Sequence, residues 1–294
     1  MHYCYDGATR DGWFSGGTER MTVQSRVEFA SATDAGVVRK FNEDSIATDS
    51  EIGLMVLADG MGGYMAGDVA SALAVSVVKE ELVTALGNLA PMEIEMAKRY
   101  LPQTLAVKWA AEKANQMILR VARKNSQYQG MGTTLTLALF HEDRISIAHV
   151  GDSRLYRLRY DRLEQLTMDH SLLQGQVAAG LIDSGDAKLS HNRNLVTRAL
   201  GKEETVEVDV REEDVLPGDI YLLCSDGLND MVEDADIELA LCELKANLPL
   251  AANLLVQMAN DNGGHDNVSV VLARAQTPST RRGLLDRLFG WFRR

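Results

Sequence analysis

The sequence predicts an α+β fold in which antiparallel sheets carry helices on their outer faces. Three observations predict it. Short apolar runs bounded by glycine or acidic residues recur along the chain, as buried strands do. Groups of strands are followed by helices twice over, which favours segregated layers. The 294 residues, 46% hydrophobic and 24% charged, have the composition of an ordinary soluble globular protein. That length admits two domains, but sandwich folds often reach about 200 to 250 residues around one core.

Residues 1–25 place Gly7, Gly12, Gly16 and Gly17 among polar groups without periodicity, and are predicted to form a flexible N-terminal extension. A start at Met21 would explain the same stretch. From Arg26, V-E-F-A-S-A-T-D-A-G reads as a strand ending at Gly36, and D-S-I-A-T-D after Glu43 as a second, the two expected to form a hairpin-like pair. Leu54 to Gly63, L-M-V-L-A-D-G-M-G-G, reads as a buried strand that delivers Asp59 to a cleft. Ala66 to Leu86 follows as a helix, with Val69, Leu73 and Val77 spaced by four and no internal proline. Leu105 to Val121 sets Ala111, Ala114, Ile118 and Val121 on one face of a second helix.

G-M-G-T-T-L-T-L-A-L-F and R-I-S-I-A-H-V-G-D-S-R-L-Y-R-L-R read as consecutive strands of a meander, with turns near Glu142–Asp143 and Gly151–Asp152. Residues 167–200 contain little apolar content for their length and are predicted to be a surface insertion. Beyond them come a strand at V-E-V-D-V, a strand leading to Asp226, two helices over Asp236–Asn260 and a last strand from Val268 to Ala273.

The chemistry lies at the ends of these strands. Asp59 and Asp226 each close an apolar run and are followed by glycine, Asp266 opens another run, and Asn42, Glu43 and Asp44 form a fourth polar cluster. An Asp-Gly pair alone is more often a tight turn than a metal ligand, because glycine supplies positive φ. Several carboxylates gathered at strand ends are different: they repel one another unless cations lie between them. A phosphate-cradling loop at G-M-G-G fails in detail, since Met65 stands where a dinucleotide motif needs glycine and no G-K-[ST] is present.

The net charge of −12 argues against nucleic acid as a partner, since phosphate backbones want a basic face. Cys4, Cys224 and Cys242 are odd in number and lack C-x-x-C spacing, so neither a disulfide framework nor a zinc site is expected. With no long apolar run for a membrane span and no signal-peptide order at the N-terminus, a cytoplasmic protein is expected.

In order along the chain stand R-K-F-N-E-D, L-A-D-G-M-G-G, G-M-G-T-T, H-V-G-D-S-R, L-T-x-D-H-S, T-R-A-L-G, C-S-D-G-L and D-N-V-S. With these motifs the chain resembles the PPM, or type 2C, metal-dependent serine/threonine protein phosphatases, bacterial branch, over roughly Phe29 to Ala273. The resemblance implies a central antiparallel β-sandwich flanked by pairs of antiparallel α-helices, in α-β-β-α layers, with a dinuclear metal site at one end. It implies a phosphatase domain over 26–276, with 167–200 as a flap beside the cleft.

Carried over to this chain, the family pattern makes Asp59 the bridge between two Mn2+ or Mg2+ ions, with the Gly60 carbonyl on the second. Asp226 and Asp266 complete the first site, Glu43 binds the second directly or through water, and Asp44 holds metal-bound water. These are hard oxygen ligands for hard cations. A third, weaker metal would use Asp152 together with Asp226, and Arg39 would grip the substrate phosphate with its planar fork. The implied activity is hydrolysis of phosphoserine and phosphothreonine in proteins by a metal-bridging hydroxide, opposing bacterial Ser/Thr kinases. Met61 replaces the histidine that animal members carry there, leaving the proton donor unassigned among His149, His170, His191, His265 and metal-bound water. The alternative is a non-catalytic pseudophosphatase that binds phosphoproteins, against which the intact Asp59, Asp226 and Asp266 argue.

The C-terminal tail, 277–294, has another character. From Arg281 to Arg294 it holds five arginines and one acid, leaving 25 basic against 41 acidic residues on the remainder, a net −16. Leu284, Leu285, Leu288, Phe289 and Trp291 or Phe292 give it an apolar helical face. Three destinations are equally expected: an anionic membrane surface, a protein partner, or the acidic body of the chain itself. A monomer is expected, with peripheral placement at the inner membrane face if the tail anchors.

Overall fold

The computed structural model describes residues 27–63, 66–87, 100–178, 180 and 195–276. The expected N-terminal extension, the C-terminal tail, and residues 179 and 181–194 of the expected flap lie outside the described residues.

Eleven strands are described: β1 Val27–Asp34, β2 Asp44–Asp49, β3 Leu54–Met61, β4 Gly132–Thr133, β5 Leu135–His141, β6 Arg144–Val150, β7 Arg154–Arg159, β8 Arg162–Gln165, β9 Asp209–Asp214, β10 Ile220–Cys224 and β11 Val268–Ala275. The helices are α1 Ala66–Gly87, α2 Pro102–Lys124, α3 Leu172–Ala178, α4 Asp226–Asn229, α5 Asp234–Leu244 and α6 Leu248–Asp261. One sheet runs β1-β11-β10-β7-β8 and the other β2-β3-β5-β6-β9, with β4 paired to the end of β3. The pairings in both are antiparallel.

The long apolar runs are explained by burial on both faces. Successive strand residues point to opposite sides, so β3 sends Leu54, Val56 and Ala58 into a core shared with α1 and α2, and Met55 and Leu57 into the core between the sheets. In β10, Ile220, Leu222 and Cys224 face α5 and α6 while Tyr221 and Leu223 face the other sheet. Phe140 joins the sheets by edge-to-face contacts with Phe29 and Tyr221, at centroid distances of 6.1 and 5.3 Å. Each fully buried Leu, Val or Ile side chain stabilises this arrangement by roughly 1.5–3 kcal/mol relative to exposure. The result is the α-β-β-α layering that the sequence predicts.

The helices carry local signals as well. α2 opens on Pro102, which lacks an N–H that would go unused there, and closes on Arg123 and Lys124, whose charges suit the C-terminal end of the helix dipole. At the start of α6, Asn247 accepts a hydrogen bond from the Leu250 N–H (3.2 Å).

Three expectations are corrected. The first two strands do not form a hairpin: β1 pairs with β11 and β2 with β3, in different sheets. The meander breaks between β6 and β7, which also belong to different sheets. V-E-V-D-V is largely not strand; β9 begins at Asp209, and Val206 and Val208 instead pack into the core beneath α1 and α2. Apolar alternation reports burial, and side chains of a well-packed loop can produce it. The first two corrections bear on chemistry. Where the chain crosses from β1 to β2 it carries Arg39 and Glu43, and where it crosses from β6 to β7 it carries Asp152. The ends of β3 and β10 and the start of β11 lie at this same end of the sandwich.

Candidate metal centre

On one sheet, Asp44 and Asp59 are directly opposed in the β2–β3 register. The Asp59 backbone is pinned: its N–H donates to Thr134 Oγ1 (2.9 Å), and its carbonyl accepts from the Thr134 N–H (2.8 Å) and from Thr133 Oγ1 (2.8 Å). The Gly60 N–H donates to the Glu43 carbonyl (3.1 Å). A Cβ on Gly60 would stand 2.1 Å from the Gly67 carbonyl oxygen and 2.6 Å from that of Glu43, so only glycine fits between the strand end and the start of α1.

On the facing sheet, Ser225 Oγ donates to Asp44 Oδ2 (2.8 Å) and accepts from the Ser269 N–H (2.9 Å), linking the sheets at this end. Gly227 meets the same restriction as Gly60, since its Cβ would lie 2.0 Å from the Asn267 carbonyl oxygen. Asn267, almost fully buried, works as a clamp. Its Oδ1 accepts from the Glu43 N–H (2.8 Å), its Nδ2 donates to the carbonyls of Ala35 (3.0 Å) and Phe41 (2.9 Å), and its N–H donates to Asp266 Oδ1 (2.9 Å). Arg39 Nη2 donates to Asp266 Oδ2 at 2.7 Å.

The G-D-S-R and D-H-S motifs form one unit. The Gly151 N–H donates to His170 Nδ1 (3.0 Å), and the His170 N–H returns a bond to the Gly151 carbonyl (2.7 Å). Arg154 grips Asp169 through Nε (3.0 Å) and Nη2 (2.7 Å). His149 is buried with Nδ1 at 2.9 Å from Thr136 Oγ1 and Nε2 at 3.1 Å from the Met168 carbonyl, its ring 4.7 Å from that of His170. Burial foremost, with His170 beside it, depresses His149 to about 3, so it stays neutral. Both histidines are framework groups that hold the Asp152 loop, and His191 lies outside the described residues.

The electrostatics at this end are those of uncompensated anions. Burial, with Asp44 and then Asp226 adding repulsion, lifts Asp59 well above the usual carboxylate range. Asp226 is lifted likewise by burial, then by Asp152 and Asp230. Burial pushes Asp44 up to about 6, and burial followed by Asp169 does the same to Asp152. Glu43 is raised by burial and Asp68, against a hydrogen bond from the Gly67 backbone. Arg39 is raised, chiefly by its hydrogen bond to Asp266.

Seven of the expected site residues, Glu43, Asp44, Asp59, Gly60, Asp152, Asp226 and Asp266, thus lie at one end of the sandwich, with Arg39 beside them. Among the described residues, no three His, Cys, Asp or Glu side chains form a ready-made ion cage. The donor set nevertheless suits divalent cations. Asp44 Oδ1 and Asp226 Oδ1 are buried and without hydrogen-bond partners, a costly condition that a cation would relieve. The donors are hard oxygens, the preference of Mg2+ and Mn2+. Asn267, Ser225, Ser269 and Asp230 have no role in the sequence reading. Their signal was present: Asp230 follows Asp226 by one helical turn, and the small polar residues flank the carboxylates in C-S-D-G and D-N-V-S.

A family description, Protein phosphatase 2C, matches residues 37–259, a span that contains Arg39 and all of the seven expected site residues except Asp266. The chain belongs to the protein phosphatase 2C family. It is 38% identical to the serine/threonine phosphatase stp of Listeria innocua over 243 residues, which is 82% of this chain and 92% of that protein. Its fold superposes on the Mycobacterium tuberculosis serine/threonine phosphatase PstP/Ppp with a TM-score of 0.75 at 36% identity, covering 86% of this chain and 100% of the other. A structure of the PstP catalytic domain in complex with two manganese ions matches with a TM-score of 0.72 at 35% identity, over 86% and 99% of the two chains. This phosphatase 2C chain therefore shares the layered fold of these bacterial relatives.

Proposed function

We propose that this chain is a metal-dependent serine/threonine protein phosphatase that hydrolyses phosphoserine and phosphothreonine in proteins. The observation that carries the reading is the convergence of unpaired, buried carboxylate oxygens from both sheets on one end of the sandwich, beside Arg39. Asp59, Asp226 and Asp266 would hold two Mn2+ or Mg2+ ions together with Glu43, Asp44 and the Gly60 carbonyl, and Asp152 with Asp226 would serve a third, weaker one. Bound divalent cations supply charge neutralisation for the transferring phosphoryl group and activation of water.

The chain's own residues provide the rest. Arg39 offers a planar fork of donors for phosphate oxygens, its guanidinium held toward the cluster by Asp266. Asn267 fixes the loop that carries Arg39 and Glu43 to Asp266 and the start of β11. Asp44, opposed to Asp59 and hydrogen-bonded by Ser225, holds its free Oδ1 as an acceptor that can orient an attacking water. His149 and His170 are engaged in hydrogen bonds of the framework, which sets them aside as donors of the proton that the leaving alkoxide needs.

A Ser/Thr kinase acting on the same phosphoproteins is the expected opposing partner, and a monomer the expected state. No described helix is long and apolar enough to cross a membrane; placement in the cytoplasm, with the basic tail contacting a membrane surface or a protein partner, agrees with the charge asymmetry. Phosphate release from a phosphothreonine peptide, with manganese, with chelator and with Asp226→Asn, tests the reading. Activity lost in both controls is expected; activity surviving both would overturn it.

A further inference from the structure

The loop between β1 and β2 presents an unusual surface. Val37, Val38 and Phe41 are 68%, 61% and 60% exposed, and they bracket Arg39 and Lys40. Single exposed apolar residues are common, but three within five residues of one loop are a concentration of apolar surface. The loop is not loose. The N–H groups of Val37 and Val38 both donate to the Gly264 carbonyl (2.8 and 3.2 Å), and Asn267 Nδ2 binds the carbonyls of Ala35 and Phe41 on either side. Apolar side chains are therefore held out by a backbone fixed to Gly264 and Asn267, in the segment that carries Asp266 and leads into β11. Arg39 bonds Asp266 at the rim of the acidic end, with its own side chain and its apolar neighbours all open to solvent.

We propose that Val37, Val38 and Phe41 determine substrate specificity by docking apolar side chains of the phosphoprotein segment that flanks the phosphorylated residue. The inference rests on the phosphatase reading above. Its occupant is chosen by continuity with the reaction centre: a phosphate bound by Arg39 brings the residues next to it in the substrate chain alongside the immediate neighbours of Arg39 on this loop. The pairing of charge and apolar surface matches that ligand, because the cation meets the phosphate and the patch meets what lies beside it. Phe41 contributes the largest buried area on binding and is the anchor.

The test compares two phosphothreonine peptides, one with Leu, Val or Phe on both sides of the phosphorylated residue and one with Ser and Gly there. Hydrolysis of an aryl phosphate, which has no flanking residues, is measured alongside. The native chain is expected to prefer the apolar peptide by about 10-fold or more in kcat/KM, within the range that a hydrophobic contact of this size provides. In Phe41→Ser, and further in V38S/F41S, that ratio should fall toward one, with the change in KM rather than kcat. Equal kcat/KM for both peptides in the native chain, or a ratio unchanged in the variants, would overturn the proposal while aryl phosphate hydrolysis left the phosphatase reading standing. Absence of metal-dependent aryl phosphate hydrolysis would sink both. A dimer of the native chain that Phe41→Ser dissolves, with peptide preference unchanged, would reassign the patch to self-association.

Discussion

Two groups of carboxylates in this molecule are treated in opposite ways. Around β7, each is matched to an arginine: Arg157 pairs with Glu164 (2.6 Å) and Glu213 (3.1 Å), and Arg159 pairs with Asp219 (2.6 Å). At the end of the sandwich where β3 and β10 finish, Asp44, Asp59, Asp152 and Asp226 crowd together, and Asp44 and Asp226 each keep an oxygen without a partner. In the first arrangement each carboxylate has an opposite charge beside it. The second is incomplete and is completed only by something brought from outside. A fold that can supply arginines to bury Asp219 and does not supply them to Asp226 has its function where the compensation is missing.

The sharpest way to break this comparison is to neutralise one member of each group. Asp226→Asn should lower phosphopeptide hydrolysis by about 10³-fold or more, since it weakens the cations that stabilise the transferring phosphoryl group. In chelator the same variant should melt at a higher temperature than the native chain, because a repelled buried charge has gone. Asp219→Ala should do the reverse. It leaves Arg159 unpaired and strips the acceptor from the Leu216 N–H (2.8 Å), at a cost of about 3–5 kcal/mol in stability, with kcat for aryl phosphate retained below the melting temperature. Equal effects of the two substitutions on both activity and stability would remove the distinction.

Cation binding should act on one group alone. At 100 times its dissociation constant, Mn2+ is expected to stabilise the chain by about 2.7 kcal/mol per site, seen as a rise in melting temperature that Asp226→Asn suppresses and Asp219→Ala does not. Its dependence on pH follows from the raised carboxylates. A group whose folded pKa lies above its unfolded value adds stability that is full below the unfolded pKa and lost as pH rises through the folded one. For Asp44 and Asp152, raised from the ordinary 3.8 to about 6, the chelated protein should therefore lose stability as pH rises from about 4 to about 6. Manganese should then restore most at the alkaline side of that window. A chelated protein that gained stability across it would contradict the charge assignment.

The difference between the groups was only half legible in the sequence. Asp59, Asp226 and Asp266 stand out because each interrupts an apolar run, and a strand buried on both faces leaves a polar residue nowhere to go but its end. α1, α2 and most strands of both sheets follow from the same periodicities, whereas β8 carries no such signal and β9 begins later than V-E-V-D-V suggests. Pairing partners do not, because alternation identifies a strand without naming its neighbour. That is why β1 and β2 read as a hairpin, although the seam with β11 lies more than two hundred residues away. The matched arginines were invisible for the same reason: Arg159 and Asp219 meet only through β7–β10 pairing across 60 positions. Asn267 was present in D-N-V-S, but three of its four contacts come from the β1–β2 loop, more than 220 positions away.

Asn267 provides the smallest and most discriminating of these effects. It touches no expected substrate or cation, yet it joins the backbone of Glu43 to the segment bearing Asp266 and ties down the loop of Arg39. Asn267→Ala leaves the Glu43 N–H and two carbonyls without partners, so some loss of stability is expected. Beyond that, a residue that orients ligands through their backbone should cost about 10- to 100-fold in metal affinity. Manganese titration by calorimetry on the folded variant reads this directly. Asn267→Asp separates the two roles, since it keeps the acceptor for the Glu43 N–H while losing the donors to Ala35 and Phe41 and adding another negative charge to the crowded end. If Asn267→Ala bound manganese as the native chain does, the clamp would hold the fold alone, and the incomplete end of the sandwich would owe its geometry to the carboxylates and glycines themselves.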